Sequence, residues 1–256
     1  MPPTIKNDIR SNIFPEKLAF IGGNAYTKSM SRITRVVVPG LPHHITQRGV
    51  RSINIFECDK DRYFYLRMLS EYAKKHKLDI KCWCLMCNHI HLIAVPDSEE
   101  TMSQAIGSAH WAYANSFNER KGVKGRLFQG RYYSTPMSTV HYNAAVRYIL
   151  RNPVRAGIVR NAWNYEWSST RFHMGLIEHD PLVRKPDILE LHSSWREYLI
   201  ADPVEMNLIR RRTKNGIPCG EADFVREIER LTNRKFRKND VNEVSDNKIY
   251  IDSYSN

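Results

Sequence analysis

The spacing of apolar residues in the central part of the chain predicts a regular succession of strands and helices. Side chains of a strand point alternately to opposite faces, so apolar residues at every second position indicate a strand. Apolar residues that recur every three to four positions indicate one face of a helix. The elements predicted in this way are strands over 43–49, 80–86 and 89–95, helices over 59–77 and 101–120, and a fourth strand within the glycine-punctuated stretch 121–134.

The order strand, helix, strand, strand, helix, strand is that of the split βαββαβ motif. We therefore predict an α+β fold of the ferredoxin-like type, in which a four-stranded antiparallel sheet has its helices on one face. Asp59 is expected to cap the first helix. A further helix is expected to begin at Ser138 or Thr139 and to end at Asn152-Pro153, because the residue before a proline disfavours helical geometry.

After Pro181 the chain changes to short helices that are separated by proline and glycine. The stretch 210–220 is basic and is expected to be a linker, and 221–232 has the spacing of an amphipathic helix. The domain organisation predicted from these changes is a flexible N-terminal extension over 1–29, a main domain over 30–180, a C-terminal helical module over 181–238 and a disordered tail over 239–256.

The chain is strongly basic, which bears on its partners. Lysine and arginine number 39 against 27 aspartate and glutamate, for a formal net charge of +12 and an isoelectric point near 9.5. Such a balance indicates a polyanionic partner, with nucleic acid first and an anionic membrane surface second. The arginines are interleaved with aromatic residues rather than gathered in a tail, which favours nucleic acid. A basic surface that serves only solubility is the alternative.

The chain shows no sequence signature of a membrane or secreted protein. No apolar run approaches the roughly 18 residues that a membrane span needs, and the N-terminus lacks the pattern of a signal peptide. The five cysteines are odd in number and three of them crowd one predicted strand, which is typical of reduced thiols. We therefore expect a cytoplasmic protein.

The stretch 82–95, CWCLMCNHIHLIAV, holds the strongest candidate for metal chemistry. On a strand, His89 and His91 point to the same face, whereas Ile90 and its apolar neighbours point to the other. Two imidazoles on one face, two residues apart, can share one metal ion. The pair alone is weak evidence for a metal site. The substrate on which such an ion would act must be inferred from the rest of the chain.

The predicted helix that begins near residue 139 carries a tyrosine beside its apolar stripe. Tyr148 lies about a third of a turn from the centre of that stripe. Two alanines on its own face leave space beside the phenol, and Asn152 follows one turn later. The small and polar neighbours distinguish Tyr148 from an ordinary half-buried aromatic residue, although that remains the alternative interpretation.

Several motifs occur in a fixed order along the chain: VPGLPHHITQRG at 38–49, CLMCNHIHL at 84–92, LFQGRYYS at 127–134, RYILRNPVRAGIV at 147–159, WSS at 167–169 and RRTKNGIPCGEADFV at 211–225. In this order they resemble the REP-associated single-tyrosine transposases. These proteins are relatives of the small insertion-sequence transposases in the His-hydrophobic-His (HUH) nuclease group. The resemblance covers roughly residues 31 to 238 and is specific because several motifs agree.

The resemblance implies the split βαββαβ core, and it assigns roles to individual residues. Tyr148 matches the nucleophile, which forms a 5′-phosphotyrosine. His89 and His91 match two metal ligands and Asn152 matches the third, so that Mg²⁺ or Mn²⁺ is the implied cofactor. His44 matches a frequent histidine of the first strand, whose role stays open. The implied substrate is single-stranded DNA with short palindromic hairpins, cleaved and rejoined by a monomer or a homodimer.

Contacts to DNA are expected from basic and aromatic residues around the site and from the C-terminal helical module. The residues predicted for this role are Arg126, Arg131, Arg147, Arg151, Arg155, Phe128, Tyr132, Arg211 and Arg212. For any single aromatic residue of this set, a place in the core is an equally good expectation.

One departure from the resembled family, together with the cysteines near the two histidines, leaves other functions open. Cys87 stands where the resembled family usually has proline, which puts the choice of metal in doubt. Cys82, Cys84 and Cys87 with the two histidines could instead form a structural zinc site, although their spacing is not that of a zinc finger. A further alternative is a non-catalytic regulator that binds palindromic DNA and descends from a transposase. A relaxase or replication initiator of the same nuclease group is a more remote one.

Overall fold

In the part of the chain that the structure describes, four strands form one antiparallel sheet in the order β2-β3-β1-β4. The strands are β1 (His43–Arg48), β2 (Leu78–Leu85), β3 (His89–Pro96) and β4 (Tyr133–Pro136), and the helices are α1 (Asp59–Lys75), α2 (Thr101–Lys121), α3 (Thr139–Leu150), α4 (Asn152–Arg155), α5 (Thr170–His173), α6 (Trp195–Tyr198), α7 (Met206–Asn215) and α8 (Ala222–Thr232). This order along the chain and across the sheet confirms the predicted split βαββαβ fold.

The structure is a computed structural model, and it describes residues 35–185 and 194–236. The predicted N-terminal extension and C-terminal tail lie outside the described residues. Within the described ranges, no helix combines the length and the apolar character that crossing a membrane requires.

The helices α1 and α2 pack side by side and are joined by a buried carboxylate. The N-cap of α1 is Cys58 rather than the predicted Asp59. Asp61, in the first turn of the helix, accepts hydrogen bonds from the backbone N–H groups of Glu57 (2.8 Å) and Cys58 (3.3 Å). It also forms an ion pair with Arg120 of α2. Asp61 therefore satisfies the start of one helix and holds the end of the other.

The sheet is covered on both faces. Ile90, Leu92 and Ala94 point to one face of β3 and are fully buried, and His91 and Ile93 on the other face are buried too. The α1–α2 pair provides one covering layer, and α3 and α7 pack over the face that carries His91. Because α3 lies on this second face, His91 is enclosed, whereas His89 at the start of β3 is half-buried.

The helix predicted to end at Asn152-Pro153 ends two residues before this pair, which itself begins a further short helix. Helix α3 stops at Leu150, and the chain then resumes as the short helix α4, which begins at Asn152. Proline is tolerated in the first turn of a helix, because its missing N–H group has no partner there in any case. Asn152 is consequently held in a buried position at the start of α4.

The stretch 210–220 was predicted to be a linker, and this prediction is wrong. Residues 206–215 form helix α7, which ends where Gly216 adopts a left-handed conformation (φ 67°), the usual glycine cap. The helix packs against β4, α3 and β1. The described C-terminal residues belong to the same compact unit as the sheet, so no break in packing marks residue 181. The domain boundaries themselves stay a prediction.

Candidate active site

His91 and His44 meet on the α3 side of the sheet. His91 lies opposite Thr46 in the β1–β3 register, so His44, two residues from Thr46, is on the same face. The Nε2 atom of His44 and the Nδ1 atom of His91 are 3.0 Å apart, which is a hydrogen bond. The Nδ1 atom of His44 is 2.7 Å from Oγ1 of Thr213 on α7. A chain of two hydrogen bonds thus joins α7 to His91.

His89 lies beside His91 with its ring turned nearly perpendicular. The ring centroids are 5.1 Å apart and the planes meet at 84°. Nδ1 of His89 is 2.6 Å from Oδ1 of Asn88. An amide oxygen only accepts, so Nδ1 carries the hydrogen and Nε2 of the neutral ring keeps its lone pair. The two histidines are adjacent on one face, as their spacing predicts.

The ring of Tyr148 on α3 contacts the imidazoles of His91 and His44. The ring of Tyr148 lies edge-on to His91, with a centroid separation of 5.4 Å, and to His44 at 5.8 Å. Tyr148 is 3 % exposed. The structure therefore places the predicted nucleophile against one of the two predicted metal ligands.

Arginines surround the tyrosine. The guanidinium of Arg155 lies 4.4 Å from the centroid of the Tyr148 ring, and Nε of Arg210 donates a hydrogen bond of 3.1 Å to the phenolic oxygen. Asp202 accepts from Arg155 (3.0 Å) and from Arg151 (2.9 Å), which fixes both side chains beside the helix. Two positive charges consequently lie next to the phenol, where an anion would be stabilised.

Burial keeps the three histidines neutral. Removal from water lowers the pKa of His44 to about 3 and that of His89 to about 4, and it lowers the pKa of His91 well below its usual value. For His89 the nearby charges of Arg48 and Arg155 act in the same direction. A neutral imidazole offers a lone pair, which is the form that binds a metal.

The residues predicted to bind a metal have suitable donor atoms. His89 and His91 are neutral and adjacent, and Asn152 is buried with a side-chain nitrogen, Nδ2, that has no hydrogen-bond partner. The amide nitrogen and oxygen of asparagine can be exchanged by a flip of the group. A flipped Asn152 would present its oxygen at this unsatisfied position, and two imidazoles with one amide oxygen suit a divalent cation.

The alternative zinc site is not supported by the cysteines. Cys82 and Cys84 are fully buried, and burial raises the pKa of both thiols, which opposes the thiolate form that binds zinc. In the part of the chain that the structure describes, no three His, Cys, Asp or Glu side chains are placed to share an ion.

For four residues, the surroundings in the structure contradict the predicted contact with DNA. Phe128 and Tyr132 are buried in the core, so their faces are not open to bases. Arg212 is 1 % exposed and donates to the carbonyl oxygens of Pro218 (2.5 Å) and Gly220, which makes it a structural residue. Arg151 is likewise held by Asp202 and the backbone of Leu199 and Ile200.

The other predicted contacts differ in exposure. Arg126, Arg131 and Arg211 are exposed. Arg147 is half-buried and lies over the ring of Tyr198, 5.2 Å from its centroid. Arg155 lies over Tyr148, as described above.

Sequence reasoning missed three residues that contact or flank the site. Arg210 and Thr213 lie three residues apart, a spacing that puts both on one face of a helix, but 210–220 was interpreted as a linker. Arg48 lies opposite His89 in the β1–β3 register. Its position could have been found only by pairing the two predicted strands in register.

Comparisons with known proteins give one family model that matches part of the chain and two similar solved structures. Residues 38–152 match the family model described as "Transposase IS200 like". The chain is similar to the solved structure of a REP-associated tyrosine transposase bound to a REP hairpin, with 20% identity and a TM-score of 0.46 over 61% of this chain and 92% of that one. It is also similar to a candidate transposase from Deinococcus radiodurans R1, with 16% identity and a TM-score of 0.34 over 46% and 95%. No curated protein matches the chain.

Proposed function

We propose that this chain, whose residues 38–152 match the IS200-like transposase family model, cleaves and rejoins single-stranded DNA at short palindromic hairpins, with Tyr148 as the nucleophile. The observation that carries the proposal is the contact between the Tyr148 ring and His91, which stands beside His89. All three residues belong to one chain. We therefore propose that a monomer can form the site without a second copy of the chain.

Tyr148 would attack the phosphorus of the scissile phosphodiester with its phenolic oxygen. The new bond joins this oxygen to the 5′-phosphate, and the bond from phosphorus to the 3′-oxygen breaks. The phenol loses its proton to water, and the departing 3′-oxygen takes one up from water, so the proton count balances. Arg210 donates to the phenolic oxygen and would stabilise the negative charge that develops on it.

His89, His91 and Asn152 would hold a divalent cation, Mg²⁺ or Mn²⁺. Such a cation, when bound, acts as a Lewis acid that polarises a phosphate oxygen. The chain contributes the two neutral imidazoles and the buried amide. Because the energy of the broken bond is kept in the phosphotyrosine, a 3′-hydroxyl can reverse the step. Rejoining or strand transfer then needs no nucleoside triphosphate.

A basic surface beside the histidines would provide a path for the DNA backbone. The backbone N–H groups of Val50 and Gln129 donate to the carbonyl oxygens of Leu127 and Arg48, each at 2.9 Å. This pairing brings the segment with the exposed Arg126 and Arg131 alongside Arg48, which lies opposite His89. Phosphate contacts of this kind should make binding strongly dependent on salt. A DNA substrate also implies the cytoplasm as the place of action.

The test uses a single-stranded hairpin oligonucleotide with MnCl₂ or MgCl₂. With a 3′ label, the wild-type protein should yield a labelled covalent adduct that survives denaturing electrophoresis, because tyrosine keeps the 5′-phosphate of the labelled fragment. With a 5′ label, a shortened free strand should appear. Tyr148→Phe and His89→Ala should abolish both products. Tyr142→Phe, a tyrosine of the same helix, is the matched control and should retain them.

An adduct of undiminished yield from Tyr148→Phe would refute the assignment of the nucleophile. One observation favours a second candidate, a regulator that binds hairpins without cutting them: the phenol is buried and its oxygen is already bonded to Arg210. In that case the wild-type protein would shift the hairpin in a native gel and give no adduct with either metal ion.

A further inference from the structure

We propose that Thr213 and His44 are positioning residues, which hold the ring of His91 so that its Nε2 lone pair is available to the divalent cation. The inference rests on the proposed function and deepens it. It gives a role to the histidine of β1, and it makes α7 a supporting element of the metal site. The evidence is the hydrogen-bond chain from Thr213 through His44 to His91.

The geometry of the two imidazoles fixes how they interact. Their planes differ by 3° and their centroids are 5.2 Å apart, while the nearest nitrogens are 3.0 Å apart. Rings stacked face to face would not bring two nitrogens so close at that centroid distance. The rings of His44 and His91 therefore lie edge to edge in nearly one plane, with one hydrogen directed along the line between Nε2 and Nδ1.

The chain has two possible arrangements of hydrogens, and only one suits a metal ligand. A neutral imidazole carries one N–H group. In the first arrangement, Nδ1–H of His91 donates to His44 and Nδ1–H of His44 donates to Thr213, which leaves Nε2 of His91 unprotonated. In the second, Thr213 donates to His44 and His44 donates to His91, which puts the hydrogen of His91 on Nε2. That nitrogen then cannot bind a cation.

Thr213 is suited to the first arrangement because its oxygen can accept from His44 while its own hydrogen turns elsewhere. A helical threonine commonly donates to the carbonyl three or four residues earlier. Thr213 is buried, and its helix is held in place by Arg212 and by the cap at Gly216. Partners of this kind, behind a metal-binding histidine, set its orientation, and their loss typically weakens metal binding 10- to 100-fold.

The test measures metal binding and the hydrogen position separately from DNA cleavage. Thr213→Val keeps the shape of the side chain and removes the hydroxyl, whereas Thr213→Ser keeps the hydroxyl. Titration calorimetry with MnCl₂ alone should show binding about 10- to 100-fold weaker for Thr213→Val than for wild type, and binding by Thr213→Ser within a few-fold of wild type. Thermal unfolding by circular dichroism verifies that each variant is folded.

Nitrogen NMR of the metal-free protein, labelled with ¹⁵N-histidine, reads the hydrogen positions directly. Nδ1 of His91 should carry the hydrogen and Nε2 should have the shift of an unprotonated nitrogen. A hydrogen on Nε2 of His91 in the wild-type protein would overturn the inference even if Thr213→Val does not fold. Equal Mn²⁺ affinity of wild type and Thr213→Val would overturn it as well. Failure of the wild-type protein to bind Mn²⁺ at all would instead refute the proposed metal-dependent function.

Discussion

The buried carboxylate of Asp61 offers a quantitative test of how helices α1 and α2 are joined. Its oxygens accept from two backbone N–H groups at the start of α1 and pair with Arg120 of α2. Asp61→Asn keeps the volume but removes the charge. Hydrogen bonds to a charged group contribute about 1.5–3 kcal/mol each. Because Arg120 is partly exposed, we discount its share and expect a loss of about 2–3 kcal/mol at neutral pH.

Thermal and urea unfolding measure this loss. For a chain of this size about 1 kcal/mol corresponds to roughly 2–4 °C in Tm, so Asp61→Asn should lower Tm by about 4–12 °C. Asp59→Asn is the matched control, since Asp59 lies in the same turn, is exposed and pairs with Arg62 at 3.2 Å. An exposed pair of this kind contributes at most about 1 kcal/mol. Equal losses in the two variants would refute the reasoning.

The pH dependence of the same pair has a defined sign. Burial raises the pKa of Asp61, but the bonds from Arg120, Glu57 and Cys58 outweigh it, so the net pKa lies below the ordinary value. A carboxylate with a lowered pKa in the folded state stabilises the protein above its unfolded pKa, and this contribution disappears as the pH falls through the folded pKa. The stability difference between wild type and Asp61→Asn should therefore shrink in acid. A stability difference between the two proteins that stays constant as the pH falls through the folded-state pKa of Asp61 would contradict the assignment.

Three other perturbations test the surroundings of the site. Arg212→Met removes a buried guanidinium that donates to two carbonyl oxygens and should cost about 2–4 kcal/mol in urea unfolding; an unchanged midpoint would count against its structural role. Asp202→Asn removes the charge that fixes Arg155 beside the tyrosine ring and should slow adduct formation several-fold with little change in hairpin affinity. The double variant Arg126→Ala/Arg131→Ala should weaken hairpin binding and reduce the slope of log K against log salt by up to about 2, measured by fluorescence anisotropy; an unaltered slope would exclude both from phosphate contact.

The strands and the long helices were predictable because their signals are local. The alternation around His89 and His91 depends only on which residues follow one another, and it fixed both the strand and the shared face of the two rings. The regular spacing in 59–77 and 101–120 likewise placed α1 and α2 to within two residues. The βαββαβ order then left few topologies open.

The errors arose where burial depends on residues distant in sequence. Arg212 follows two other arginines, so the run suggested a solvated linker, yet the carbonyls of Pro218 and Gly220 satisfy its guanidinium inside the protein. Phe128 and Tyr132 were expected to meet bases because of their basic neighbours, but they pack in the core. His44 and Thr213, which form a hydrogen bond, are 169 residues apart in the sequence, and no local pattern predicts a contact of that kind.

The position of α7 has a practical consequence for anyone who shortens the protein. The segment matched to the family ends at residue 152, and a fragment cut there would look like a self-sufficient catalytic unit. Such a fragment would lack Asp202, Arg210 and Thr213, and it would bare the sheet face on which His44 and His91 lie. Inactivity of such a fragment would then reflect the loss of the residues that enclose the site, and it would not show that the full chain lacks the activity.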